Sequence, residues 1–188
     1  MRLFIAIDLD NKEYFKAIHK NIDVENAKVN FTKSFHLTLK FLGEVDDSKV
    51  DHLKEALQKI KFSSFKVKTT KIGVFPNENY IRVVWVGLEP EDKLIQLKDF
   101  VDESLKGIFS KEKDAWKSGI SGTADGGFKA HLTLARVKFL TDKTKFIESL
   151  KKIKFEQKEF EIKEIKLIKS TLTEEGPVYE DILKIKNS

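Results

Sequence analysis

The 188-residue chain has no cysteine. Disulfides and thiolate metal centres are therefore excluded, and redox arguments say nothing about its compartment. One methionine and three glutamines stand against many Lys and Glu, a balance that fits a heat-adapted source. With three prolines and no low-complexity stretch, nothing marks an interdomain linker. No apolar run approaches the ~20 residues of a membrane helix. The opening MRLFIAIDLD is too short an apolar run for a secretory signal, and acidic residues interrupt it. Runs of five or six like charges, which would mark a disordered tail, are absent too. So are the HExxH zinc motif, the GxSxG nucleophile elbow and the GxxxxGK[ST] phosphate loop. A soluble cytoplasmic protein with no membrane partner is expected. Its length suits one domain, or two small lobes with a shared core, over residues 1–188. Formal net charge is +5 and the pI about 9.1, a modest excess that favours anionic partners.

What is present is a repeated tetrapeptide. His-Leu-Thr-Leu occurs at His36–Leu39 and again at His131–Leu134, 131 − 36 = 95 positions apart. Each copy reads as a strand. Alternation puts His36 with Thr38 on one face and Leu37 with Leu39 on the other, and the second copy repeats this with His131 and Thr133. The same shift of 95 lays Phe65 on Phe160, Val67 on Ile162, Lys71 on Lys166 and Ile72 on Leu167. The apolar face changes parity within both stretches, as a β-bulge would make it do. Repetition at this length signals two copies of one supersecondary unit rather than a short-period solenoid.

Periodicity predicts a strand over 2–8, a helix carrying Tyr14, Phe15 and Ile18, and the first HLTL strand over 34–42. A helix with Val50, Leu53 and Leu57 follows, then strand 64–74, a turn at 76–79 and strand 80–88. Pro90 and Glu91 open a helix with Leu94, Leu97 and Val101. The glycine-rich stretch 118–127 reads as a flexible loop, placed to act as a lid. The second HLTL strand, a helix with Phe146 and Leu150, a long strand over 158–169, a turn at 173–177 and a strand over 178–185 complete the chain. Strands and hairpins mixed with helices, without βαβ regularity, predict an α+β fold of largely antiparallel sheets.

One histidine on a strand is more often structural than catalytic. Two, brought to opposite sides of one group, suit acid–base chemistry, because histidine alone titrates near neutrality. A phosphodiester between them would meet a base on the side of attack and an acid at the leaving oxygen. Thr38 and Thr133 would donate to the non-bridging oxygens. No metal or cofactor is then required, and two histidines are too few for a catalytic zinc site. His19 and His52 fall on predicted helices among charged residues and read as solvent-exposed. A non-catalytic RNA-binding protein is the competing reading, with Phe41, Phe128 and Tyr179 available to stack on bases.

The paired motifs and their flanks resemble the two-histidine (2H) phosphoesterase superfamily. The segments MRLFIAIDL, FHLTLKFLGEV, GVFPN with IRVVWVGL, FKAHLTLARV and KSTLTEEGPVYE are similar to its LigT-like branch, the RNA 2′,3′-cyclic phosphodiesterases first described as 2′–5′ RNA ligases. The resemblance spans nearly the whole chain. It implies a bilobal α+β fold with pseudo-twofold symmetry, two largely antiparallel sheets lining a central cleft and helices packed outside. It also implies metal-free hydrolysis of an RNA 2′,3′-cyclic phosphate end to a 2′-phosphate, with 2′–5′ ligation as the reverse direction; a monomer is expected. His36 would then be the proton donor to the leaving 3′ oxygen and His131 the acceptor that activates water. Thr38 and Thr133 would hold the phosphate, and Arg136 would contact it. By strict alternation, however, Arg136 faces away from His131 unless the strand bends.

Overall fold

A computed structural model describes residues 1–109, 127–174 and 176–187. Among these residues nine strands form two antiparallel sheets. The first has the order β3-β1-β8-β9, from β1 (Arg2–Asp8), β3 (His36–Glu44), β8 (Glu164–Thr173) and β9 (Gly176–Lys186). The second has the order β2-β6-β5-β4-β7, from β2 (Ala27–Phe31), β4 (Phe65–Asn77), β5 (Tyr80–Glu89), β6 (His131–Leu140) and β7 (Glu159–Ile162). Helices α1 (Lys12–His19), α2 (Val50–Gln58), α3 (Glu91–Ser104) and α4 (Lys143–Lys152) join them. Among the described residues, no helix is long and apolar enough to cross a membrane.

The helices form where the apolar spacing demands. Phe15 and Ile18 of α1, Leu53 and Leu57 of α2, Leu94, Leu97 and Val101 of α3, and Phe146 and Leu150 of α4 are all buried. Side-chain caps start two of them: Asn11 accepts from the Tyr14 N–H, and Asp142 from the Lys145 N–H. These residues join Leu37, Leu39, Leu132 and Leu134 of the motifs in one apolar cluster that runs beneath both sheets. Each such side chain, fully buried, contributes about 1.5–3 kcal/mol of transfer free energy. The leucines thus anchor the motif strands and leave the other face of each sheet for polar groups.

The pseudo-twofold relation is clearest where β1 meets β3 and β5 meets β6. Asp8 pairs with His36 and Gly87 with His131. Both ladders then slip at the same place. Leu39 is the extra residue between Ala6↔Thr38 and Ile5↔Lys40, and Leu134 is the extra residue between Trp85↔Thr133 and Val84↔Ala135. Just outside each ladder, Leu9 N–H donates to the Phe35 carbonyl and Leu88 N–H to that of Ala130. The motif strands β3 and β6 keep the shift of 95. Strands β1 and β5 are related by 87 − 8 = 79. The passage from β5 to β6 is therefore 95 − 79 = 16 residues longer than that from β1 to β3. This insertion hides the β1–β5 relation from a gapless comparison.

Three sequence expectations change. The strand predicted over 158–169 breaks at Lys163. Its first part, β7, pairs with the supposed counterpart (Phe65↔Ile162, Val67↔Phe160), while β8 enters the other sheet. The parity switch is thus a ladder irregularity between Thr69 and Ile72 in β4, but a change of sheet in the second copy. Strand β2, unforeseen in a polar stretch, borders β6. The glycine-rich segment 118–127 lies outside the described residues apart from Gly127.

Candidate active site

His36 and Thr38 on β3, and His131 and Thr133 on β6, are partly exposed, while the leucines between them are buried. Alternation therefore holds across both tetrapeptides and turns both histidines to the polar face. Charge on His131 acts on the titration of His36, so the two sheets bring the imidazoles into one electrostatic environment. Each ring also sits in an aromatic pair. His36 lies 5.1 Å from Phe4 and 5.2 Å from Tyr179, ring centre to ring centre. His131 lies 4.8 Å from Phe75 and 6.1 Å from Trp85. These rings limit water around the imidazoles and restrict their rotation.

The two histidines are anchored differently, although Ser34 and Lys129 occupy equivalent places two residues before them. His131 Nδ1 lies 2.6 Å from the Lys129 carbonyl oxygen. A carbonyl can only accept, so Nδ1 carries the hydrogen and Nε2 of the neutral ring holds a lone pair. His36 Nδ1 instead faces Ser34 Oγ at 3.3 Å, and a hydroxyl can donate or accept. Burial depresses both imidazoles. His36 falls to about 4, with Asp8 opposing the shift and Arg136 and His131 adding to it. His131 is lowered by burial and by the Lys129 ammonium against the favourable Lys129 carbonyl bond. Both shifts favour the uncharged form of the ring.

Arg136 reaches the site because of the bulge. The extra residue Leu134 lets Leu134 and Ala135 both point into the core, and Arg136 is exposed on the histidine face. Strict alternation, which turned it away, is corrected by this slip. Its guanidinium acts on both His36 and Tyr179, placing it at the cleft. The related position on the other motif strand is Phe41, which packs on Phe4 in a small apolar cluster with Ala6 and Ile168. One flank is thus cationic and the other apolar.

Sequence reasoning missed several neighbours. Asp8, across from His36, accepts from Lys166 Nζ at 2.6 Å, and Lys166 also pairs with Asp181 at 2.9 Å. The signal was available in the register of β1 against the motif strand, which no local pattern reveals. Of the aromatic residues expected to stack on bases, Tyr179 flanks His36 while Phe128 packs on the main core. His19, expected in solvent, is 8% exposed and stacked on Phe31 at 4.7 Å. The edge strand β2 brings Phe31 over it. His52 is exposed, as expected. Among the described residues no three His, Asp or Glu side chains converge as metal ligands would. A hollow of about 370 Å³ between Phe62, Phe65, Leu97 and Phe100 carries only lysine as a titratable group, so it offers no acid–base pair.

Known proteins share this sequence and fold over nearly their whole length. A protein of Methanocaldococcus jannaschii named RNA 2′,3′-cyclic phosphodiesterase is 39% identical over 187 residues, covering 97% of this chain and 98% of its own length. One of the same name from Archaeoglobus fulgidus is 36% identical over 187 residues, with the same coverage. The crystal structure of a Thermus thermophilus protein superimposes with a TM-score of 0.73 at 24% identity, covering 99% of this chain and 97% of that one. Residues 6–85 and 110–179 match the family described as LigT like Phosphoesterase, and the chain belongs to that family.

Proposed function

We propose that this protein is an RNA 2′,3′-cyclic phosphodiesterase and that His36 and His131 are its acid–base pair. The observation that carries the reading is the equivalent register of the two imidazoles on opposed sheets, each with a threonine two residues on and each turned from the core. The names of the relatives support the substrate class.

The anchoring of the rings favours one direction of proton flow. His131, with Nδ1–H held by the Lys129 carbonyl, offers Nε2 as the base. Water attacks phosphorus, its proton passes to that Nε2, and the bond from phosphorus to the 3′ oxygen breaks. His36 supplies the proton to the 3′ oxygen, leaving a 2′-phosphomonoester. The rings exchange protons with solvent to reset. A phosphodiester anion that displaces water between the rings favours the charged form of His36, and Asp8 adds to this. Thr38 and Thr133 donate to the non-bridging oxygens, and Arg136 opposes the charge that grows there. Positioned proton transfer of this kind gives ~10²–10⁴-fold acceleration per group. A 5′ hydroxyl in place of water would give a 2′–5′ linkage at the same site, so ligation is the same chemistry with another nucleophile. The steps need no metal and no second subunit.

The test is an assay on a 2′,3′-cyclic-phosphate oligonucleotide in EDTA, with phosphorus NMR identifying the product isomer. A 2′-phosphate is expected, and His36→Ala or His131→Ala should remove nearly all turnover. Full activity in either variant sinks the assignment. Salt-sensitive RNA binding without turnover, surviving both changes, would support a binding protein instead.

A further inference from the structure

The chain has only three arginines, Arg2, Arg82 and Arg136, against 32 lysines (35 − 3). All three lie on strands that build the cleft, β1, β5 and β6. Among the described residues none of them forms an ion pair, whereas lysine is the cation of every ion pair between side chains. Planar guanidinium groups left without carboxylates suit bidentate recognition of phosphate.

Arg82 is not used by the two-histidine chemistry. It sits one residue from Val83, the register partner of Arg136. From Trp85, which flanks His131, it lies three residues along β5, roughly 10 Å. The ladder with β4 slips there, since Phe75 pairs with Val83 and Pro76 with Ile81. Ile81 is buried in the core, leaving Arg82 and Tyr80 exposed on either side of it. The Arg82 guanidinium donates to the Tyr80 hydroxyl at 3.1 Å and lies 5.7 Å from the centre of its ring. Tyr80 is 60% exposed, and no other aromatic ring contacts it among the described residues. A pre-set ring beside an unpaired guanidinium, next to the Arg136 end of the cleft, matches one nucleotide: a base to stack and a phosphate to pair.

We propose that Tyr80 and Arg82 form an upstream nucleotide subsite, in which Arg82 binds the phosphodiester on the 5′ side of the terminal nucleoside and the preceding base stacks on Tyr80. The protein therefore prefers a single-stranded RNA chain to a free cyclic nucleotide. This rests on His36 and His131 being the reacting pair.

The experiment compares kcat/KM on a 2′,3′-cyclic mononucleotide and on a single-stranded hexanucleotide ending in the same group. Wild type is expected to favour the hexanucleotide. Tyr80→Ala and Arg82→Ala should each lower its kcat/KM by roughly tenfold, as loss of a stacked base or a paired phosphate does. Turnover of the mononucleotide should change by less than about twofold, and Tyr80→Phe should keep most of the oligonucleotide preference. Arg82→Ala should also flatten the salt dependence of the hexanucleotide KM by about 0.7 in log–log slope, one phosphate contact on a single strand. Equal losses on both substrates would mean a structural role for the hairpin, and no loss on either would mean no subsite; each overturns the proposal. If wild type turns over neither substrate, the two-histidine assignment fails first.

Discussion

Asp8 stands directly across β1 from His36, whereas the related place across β5 from His131 is held by Gly87. The carboxylate favours a charged imidazole at His36, and Lys166 fixes it at 2.6 Å. No such charge stands opposite His131, so the pseudo-twofold axis relates two histidines that are electrostatically unequal.

Replacing Asp8 with Asn should depress the His36 imidazole further, because the removed charge opposes the effect of burial. Proton donation to the leaving group then weakens, and kcat should fall by roughly tenfold with little change in KM. Lys166 keeps Asp181 at 2.9 Å, which limits any loss of stability. Titration of the His36 ring by NMR, alongside the kinetics, is the check. An unchanged ring titration would remove Asp8 from the mechanism.

The unequal anchors predict a fixed tautomer at one ring. Nitrogen NMR of the free protein at neutral pH should show His131 protonated at Nδ1 with Nε2 bare, because the Lys129 carbonyl can only accept. Ser34→Ala removes the one side-chain partner that His36 Nδ1 has among the described residues and should alter the tautomer of His36 alone. A His131 ring protonated at Nε2 would contradict the assignment of His131 as base.

Gly73 should tolerate no side chain. A Cβ there would run into the Trp85 indole, which packs across the strand pair. Trp85 is itself 6.1 Å from His131. Gly73→Ala is therefore expected to displace the indole, to destabilise the fold by roughly 1–3 kcal/mol, and to reduce turnover. Denaturant unfolding and indole fluorescence would report it. A variant of wild-type stability and spectrum would show that the contact can relax freely.

Asp102 on α3 ties the helix to β3 through Lys40 at 2.6 Å and also pairs with Lys98. Burial pushes its carboxyl up, but the two ammonium groups outweigh this and hold it below the ordinary aspartate value. A depressed carboxylate stabilises the fold above the ordinary value, and this contribution fades as pH falls below it. Asp102→Asn should accordingly cost about 1 kcal/mol at neutral pH, discounted for partial exposure, with the difference from wild type shrinking as pH falls below about 4. Urea unfolding at neutral pH and at about pH 3 measures it. A gap that widens in acid would show the sign to be wrong.

The sequence alone determined the two motif strands and their faces, because leucine and histidine alternate at a period that only a half-buried strand satisfies. It determined the helices by the same logic of apolar spacing, and it pointed to the family through segments spread over the chain. What stands beside each histidine was decided by tertiary structure. Asp8, Phe75, Trp85 and Tyr179 come from strands remote in sequence, and register selects them rather than local pattern. The place of Arg136 was decided there too, since one extra residue in a ladder turns every later side chain to the other face. The inequality of the two histidines also belongs to the fold. Identical tetrapeptides cannot differ in chemistry, but a carbonyl at one Nδ1 and a hydroxyl at the other can make them do so.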